Sequence, residues 1–220
     1  MTVILNPRGT AGAGKTELVR RILARYGSPP RPGAVCTEGL EALYRPSRRR
    51  PFGYRLQHPC GGSPLVVIGH YEVTSGGCDT IRAVDGGLAE VVRTAEDFAR
   101  AGHDVVMEGL RLSSDVEHTL GLARSQALRV LRLTTPLPHC VRNLLTRRRA
   151  GGHFVHAFAS RVAAEDEEIE AACERLRPHA SVEALGFEEA LARAETLLGL
   201  ARSRAPTEPS ARPHGSDKRP

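Results

Sequence analysis

The segment Gly9-Thr10-Ala11-Gly12-Ala13-Gly14-Lys15-Thr16 matches the pattern G-x-x-x-x-G-K-[ST], and its flanks supply the context that pattern needs. The apolar run Thr2-Val3-Ile4-Leu5 predicts a strand before it. Leu18, Val19, Ile22 and Leu23 recur at helical spacing after it, predicting a helix over 15–26. A strand, a glycine-rich turn and a helix in that order constrain the fold to an α/β sheet. Glycines let backbone N–H groups turn inward around an anion, and the helix adds its positive N-terminal end. Gly9, Gly12, Ala13, Gly14, Lys15 and Thr16 are therefore expected to hold a nucleoside triphosphate. Lys15 would neutralise the outer phosphates. Thr16 would give its hydroxyl to Mg2+, a hard cation that takes oxygen ligands.

Further along, apolar runs alternate with helical patterns. Strands are predicted over 34–36, 65–68, 104–107 and 128–133, and helices over 85–101, 137–149, 157–176 and 187–203. This alternation reads as a three-layer P-loop NTPase fold with a parallel sheet, in one domain over 1–203. Phe187, Ala190, Leu191, Ala194, Leu197 and Leu198 form one apolar stripe, expected to pack into the core. Residues 45–62 form a basic insertion rich in Pro and Gly, in which the alternating Phe52, Tyr54 and Leu56 suit a short strand or hairpin. Residues 204–220 hold almost no apolar side chain and are expected to be a disordered tail.

No apolar stretch approaches the roughly 20 residues that span a bilayer, and the N-terminus runs straight into the first strand, so a cytoplasmic protein without a membrane partner is expected. The five cysteines are scattered without metal-ligand spacing, which predicts reduced thiols. A net charge of +6 suits a polyanionic partner, although a nucleotide enzyme with a basic tail would carry it too.

A triphosphate loop can serve a motor, a switch, a transporter subunit or a kinase, and three features favour a kinase. The chain lacks an N-K-x-D guanine reader and the length of helicase or transporter elaborations. Asp104-Val105-Val106-Met107-Glu108-Gly109 is an apolar strand ending in a carboxylate, which sets Glu108 near the loop to hold Mg2+ or orient an acceptor. Asp104, at the start of that strand, is expected at the far end of the sheet. Arg142, Arg147, Arg148 and Arg149 precede Ala150-Gly151-Gly152, a pattern suited to a lid over about 136–156, with Arg142 and Arg147 favoured to reach the transferring phosphoryl group.

On the acceptor side, Gly69 to Thr80 follows the strand over 65–68 and lies outside the carboxyl end of the sheet, where open α/β sheets bind ligands. Asp79 is the first choice to receive the hydroxyl proton, with Glu72 and Glu108 as competitors. Gly76 and Gly77 would admit substrate closely, and His70 and Tyr71 could stack on or hydrogen-bond a base. Arg48, Arg49 and Arg50 could track nucleic-acid phosphates.

The loop and the lid-like arginines make residues 1–200 resemble P-loop kinases, a family that includes nucleoside, nucleotide and polynucleotide kinases. Gly69-His70-Tyr71, then Gly76-Gly77-Cys78-Asp79-Thr80-Ile81, together with Val106-Met107-Glu108-Gly109, resemble more narrowly the phage-associated kinases that phosphorylate 5-hydroxymethyluracil in DNA. That resemblance implies ATP-dependent phosphorylation of a hydroxymethyl group, with ATP, Mg2+ and DNA carrying a modified base as partners. A kinase of nucleosides, nucleotides or small metabolites remains open, as does a P-loop ATPase or regulatory nucleotide-binding module.

Overall fold

The computed structural model describes residues 2–27, 40–46, 48–73 and 76–200. Its strands are β1 (Ile4–Arg8), β2 (Leu40–Leu43), β3 (Gly53–Leu56), β4 (Leu65–Ile68), β5 (Asp104–Met107), β6 (Leu128–Leu133) and β7 (Ser181–Leu185), joined in one sheet of order β2-β3-β4-β5-β1-β6-β7. From β4 to β7 the neighbours run parallel, as apolar strands linked by crossover helices require. The sheet is nonetheless mixed: β2 and β3 are antiparallel to their neighbours. β3 enters β4 through a short loop without a crossover helix, and such a link can join only antiparallel strands. The 45–62 stretch thus contributes a strand to the sheet, and Phe52, Tyr54 and Leu56 are core residues.

Helices α1 (Lys15–Arg25), α2 (Gly87–Arg100), α3 (Leu110–Ser114), α4 (Glu117–Ser125), α5 (Leu137–Arg148), α6 (Val155–Leu176) and α7 (Phe187–Leu197) cover both faces. Successive strand residues point to opposite faces, and the cores divide accordingly. Leu5, Val67 and Val106 pack with Leu18 and Ile22 of α1, Leu144 of α5 and Ala194 of α7. Ile4, Val66 and Val105 pack with Val91 of α2, Leu122 of α4 and Ile169 of α6. The α7 stripe lies against the first of these cores. Among the described residues no helix is long and apolar enough to cross a membrane.

Three departures from the sequence expectation have local causes. β1 continues past Leu5, where the apolar run ends, to Arg8. Pairing with β5 covers only Ile4 and Leu5, whereas β6 pairs with all five residues, so Pro7 lies beyond the β5 ladder. The Asn6 side chain donates to the Met107 carbonyl at 2.8 Å and ties β1 to β5 at that point. α3 is a single turn and too short for a periodic signal, and β7 is a half-exposed strand with little β-branched character. The strand expected at 34–36 and the tail over 204–220 lie outside the described residues.

Candidate active site

At the C-terminal end of β1 the backbone turns through Gly9, Gly12 and Gly14 with φ of +156°, +86° and +102°, and α1 then begins at Lys15. A Cβ on Gly12 would stand 2.4 Å from the Cys140 carbonyl oxygen of α5, so the close packing of loop on helix admits only glycine. Thr135 donates to the Ala13 carbonyl at 2.8 Å and Asn143 to the Gly12 carbonyl at 2.9 Å, clamping the loop from outside. No side chain caps the start of α1, which leaves its first amides available to an anion.

Lys15 is 7% exposed, and its ammonium donates to the carbonyls of Gly9 and Thr10 at 2.6 and 3.0 Å. Burial lowers its pKa, against the pull of Glu108 and Asp79. Thr16 donates its hydroxyl to Glu108 Oε1 at 3.1 Å. Glu108, at the end of β5, is 1% exposed, and burial pushes its carboxyl up to about 7 despite the nearby Lys15. Two hard oxygens side by side, one carboxylate and one hydroxyl, are a donor set that suits Mg2+ completed by phosphate and water. Asp104 lies at the opposite end of β5, where its carboxylate accepts the Val3 amide at 2.8 Å.

Asp79 belongs to the 3-10 turn Cys78–Thr80 and lines the same cavity, of about 410 Å³, as Lys15, Thr16, Glu108 and Arg147. Its carboxylate accepts the amides of Leu110 and Arg111 and so caps α3, while Arg111 Nε stands 3.6 Å away. Gly76 also lines the cavity, whereas Gly77 lies against Glu108: a Cβ there would sit 2.4 Å from Glu108 Oε1. Gly77 therefore makes room for the carboxylate, not for substrate.

Several sequence-predicted residues lie elsewhere. His70 and Tyr71 are buried beneath the site at 2% and 5% exposure, so neither presents a face for a base to stack on. His70 Nδ1 meets the Tyr54 hydroxyl at 3.3 Å, and burial lowers its pKa; the Tyr71 hydroxyl donates to the Ile68 carbonyl at 3.4 Å. Glu72 accepts from Tyr54 at 3.3 Å, outside the cavity lining. Arg142 is exposed on α5 and does not line the cavity, which Arg147 and Arg148 do. Five helical positions turn through about 140° beyond a full circle, so one face cannot present both Arg142 and Arg147. Arg48 is held by Asp85 at 2.9 Å outside the lining of this cavity, with Arg49 and Arg50 exposed beside it.

Two functional candidates on α6 have no motif to announce them. Glu165 Oε2 accepts the Ala11 amide at 2.9 Å, and Glu165 Oε1 accepts from Arg161 Nε at 2.7 Å. A carboxylate thus occupies one of the loop amides, and Arg161 lines the cavity next to it. Their signal in sequence is only a charged helix face. Beneath the loop, Arg8 is fully buried and donates to Asn6 Oδ1, the carbonyls of Ser113 and Asp115, and Thr119 Oγ1, all at 2.8–3.0 Å.

No family model matches the chain. A 5-hmdU DNA kinase of Pseudomonas phage PaMx11 is 38% identical over 148 residues, which cover 67% of this chain and 70% of that protein. Identity at this level over two thirds of both chains is a mark of common descent. The chain is a phosphotransferase and belongs to the 5-hmdU DNA kinase family.

Proposed function

We propose that the protein is an ATP-dependent, Mg2+-requiring enzyme with a P-loop kinase fold that phosphorylates the hydroxymethyl group of 5-hydroxymethyluracil in DNA. One observation carries the reading: a single cavity brings the ammonium of Lys15 and the hydroxyl of Thr16 together with the carboxylates of Glu108 and Asp79. The first pair suits a triphosphate, and the carboxylates suit a metal and an alcohol. The name of the phage relative supports DNA and its modified base as the acceptor.

In this reading the amides of the 9–14 loop and of the first turn of α1 cradle the triphosphate, and Lys15 exchanges its loop carbonyls for phosphate oxygens. Thr16 and Glu108 would hold Mg2+, which would supply positive charge to the transferring phosphoryl group. Asp79, fixed by the amides of α3, orients the hydroxyl and accepts its proton as the oxygen bonds to the γ-phosphorus and ADP leaves. The segment from the end of α5 to the start of α6 acts as a lid. It turns at Arg149, whose φ is +50°, and carries Arg147, Arg148 and Arg161 toward the equatorial oxygens.

The test uses γ-labelled ATP with a panel of hydroxymethyluracil DNA, unmodified DNA ends, nucleosides and nucleotides. Label is expected in the modified base of intact DNA, absent with Lys15→Ala, and reduced far more in turnover than in ATP affinity with Asp79→Asn. Label at strand ends only, on free nucleosides only, or release of phosphate to water alone would overturn the assignment.

A further inference from the structure

Beside the catalytic cavity lies a second, of about 450 Å³, lined by Arg48, Arg49, Arg50, Arg82, Asp85 and Thr80. Thr80 lines both, so the two cavities share a wall next to Asp79. We infer that this arginine basin binds the backbone phosphate of the DNA strand whose base enters the catalytic cavity, an inference that rests on the DNA reading above.

The charges divide between frame and ligand. Arg48 and Asp85 form an ion pair at 2.9 Å with their side chains only 6% and 2% exposed, and Arg48 also donates to the Thr80 carbonyl at 3.1 Å. That buried pair fixes residues 48–50 against the Cys78–Thr80 turn. It also commits the basin's one carboxylate, which Arg82 meets more loosely at 3.4 Å with a side chain 71% exposed. Arg49 and Arg50 are exposed, and neither has an ion pair with a carboxylate among the described residues. Four guanidinium groups facing one carboxylate leave a surplus of three positive charges on a rigid base.

Guanidinium forks match the paired oxygens of a phosphodiester, and contacts of this kind set a strand in register without reading its sequence. Val84, 80% exposed, stands on the 3-10 turn between Arg82 and Asp85. An apolar side chain beside phosphate-binding arginines suits a sugar or base edge and gives nothing to a free anion. A target base must leave its stack to reach a cavity, and a grip on the adjoining phosphate holds its strand while it does.

The experiment measures binding of the full chain to fluorescent duplex DNA carrying hydroxymethyluracil, without ATP, over a series of salt concentrations. Arg49→Ala/Arg50→Ala is expected to lower the slope of log K against log salt by about 2, and Arg82→Ala by about 1. A double variant of equal charge, Arg124→Ala/Arg175→Ala, alters two exposed arginines that line neither cavity and should keep the parent slope. A thermal shift on adding Mg-ATP verifies folding, and Arg82→Ala carries the test should the double variant lack that shift. Unchanged slopes in the basin variants, or equal loss in the control, would overturn the basin. The readout needs no phosphoryl transfer, so reduced slopes without label in the base would sink the proposed reaction and leave the basin standing.

Discussion

The amide of Ala11 is already engaged by an anion, the carboxylate of Glu165, which Arg161 steadies from the other side. In the proposed reading an incoming triphosphate would have to displace this carboxylate and meet its repulsion. Glu165→Ala removes both and frees Arg161, so the Kd for Mg-ATP should fall about 2- to 10-fold, the worth of one net hydrogen bond. Titration calorimetry checks this; a weaker Kd would mean that Glu165 instead holds the loop in its binding shape. The contact also marks a limit of sequence reading. Gly9 to Thr16 are legible because eight adjacent residues carry the whole signal, whereas Ala11 and Glu165 are 154 positions apart. Nothing local distinguishes Glu165 from Asp166, Glu167 or Glu168 beside it.

Between residue and fold, the site is a junction of strand ends. β5 delivers Glu108, the segment after β4 delivers Gly77 and Asp79, and Asp79 starts α3. Gly77 is a tight point: its Cβ would meet Glu108 Oε1 at 2.4 Å and the Glu108 carbonyl at 2.7 Å, and that carbonyl accepts the Cys78 amide at 2.7 Å. Gly102 shares the positive φ, +90° against +84°, but has nothing within 4 Å. Both alanine variants carry positive-φ strain, and at Gly77 a ψ of −167° adds to it, a combination that essentially only glycine adopts. Gly77→Ala alone collides with the carboxylate, so it should lower the thermal midpoint more and raise the Mg2+ concentration needed for half-maximal activity. Equal effects from the two would dismiss the collision. The apolar strands β4, β5 and β6 and the striped helices α1 and α7 were legible because period and burial agree. β1 past Leu5, α3 and β7 were not: their limits depend on partners, such as the Asn6 side chain on Met107, that lie far away in sequence.

Across the molecule, burial of Glu108 links stability to pH. Its pKa of about 7 lies above the ordinary carboxyl value of 4.5, so its contribution is complete below pH 4.5 and is lost progressively as pH rises from there through 7. His70, lowered by burial, works in the opposite direction in acid, which leaves pH 6.5–8 as the window for Glu108. With Mg2+ chelated, stability should fall by about 1 kcal/mol across that window, a drop of roughly 2–4 °C in Tm for a chain this size. Glu108→Gln should level the slope; scanning fluorimetry of both proteins decides. A different buried charge, Arg8, stands at the centre of the sheet just ahead of the loop, and its four hydrogen-bond acceptors are neutral oxygens. Burial lowers its pKa only to about 10, so it remains a cation at neutral pH. In the proposed ATP reading the scaffold would carry its own counter-ion for a polyanion, and nucleotide arrival would relieve an electrostatic tension built into the interior.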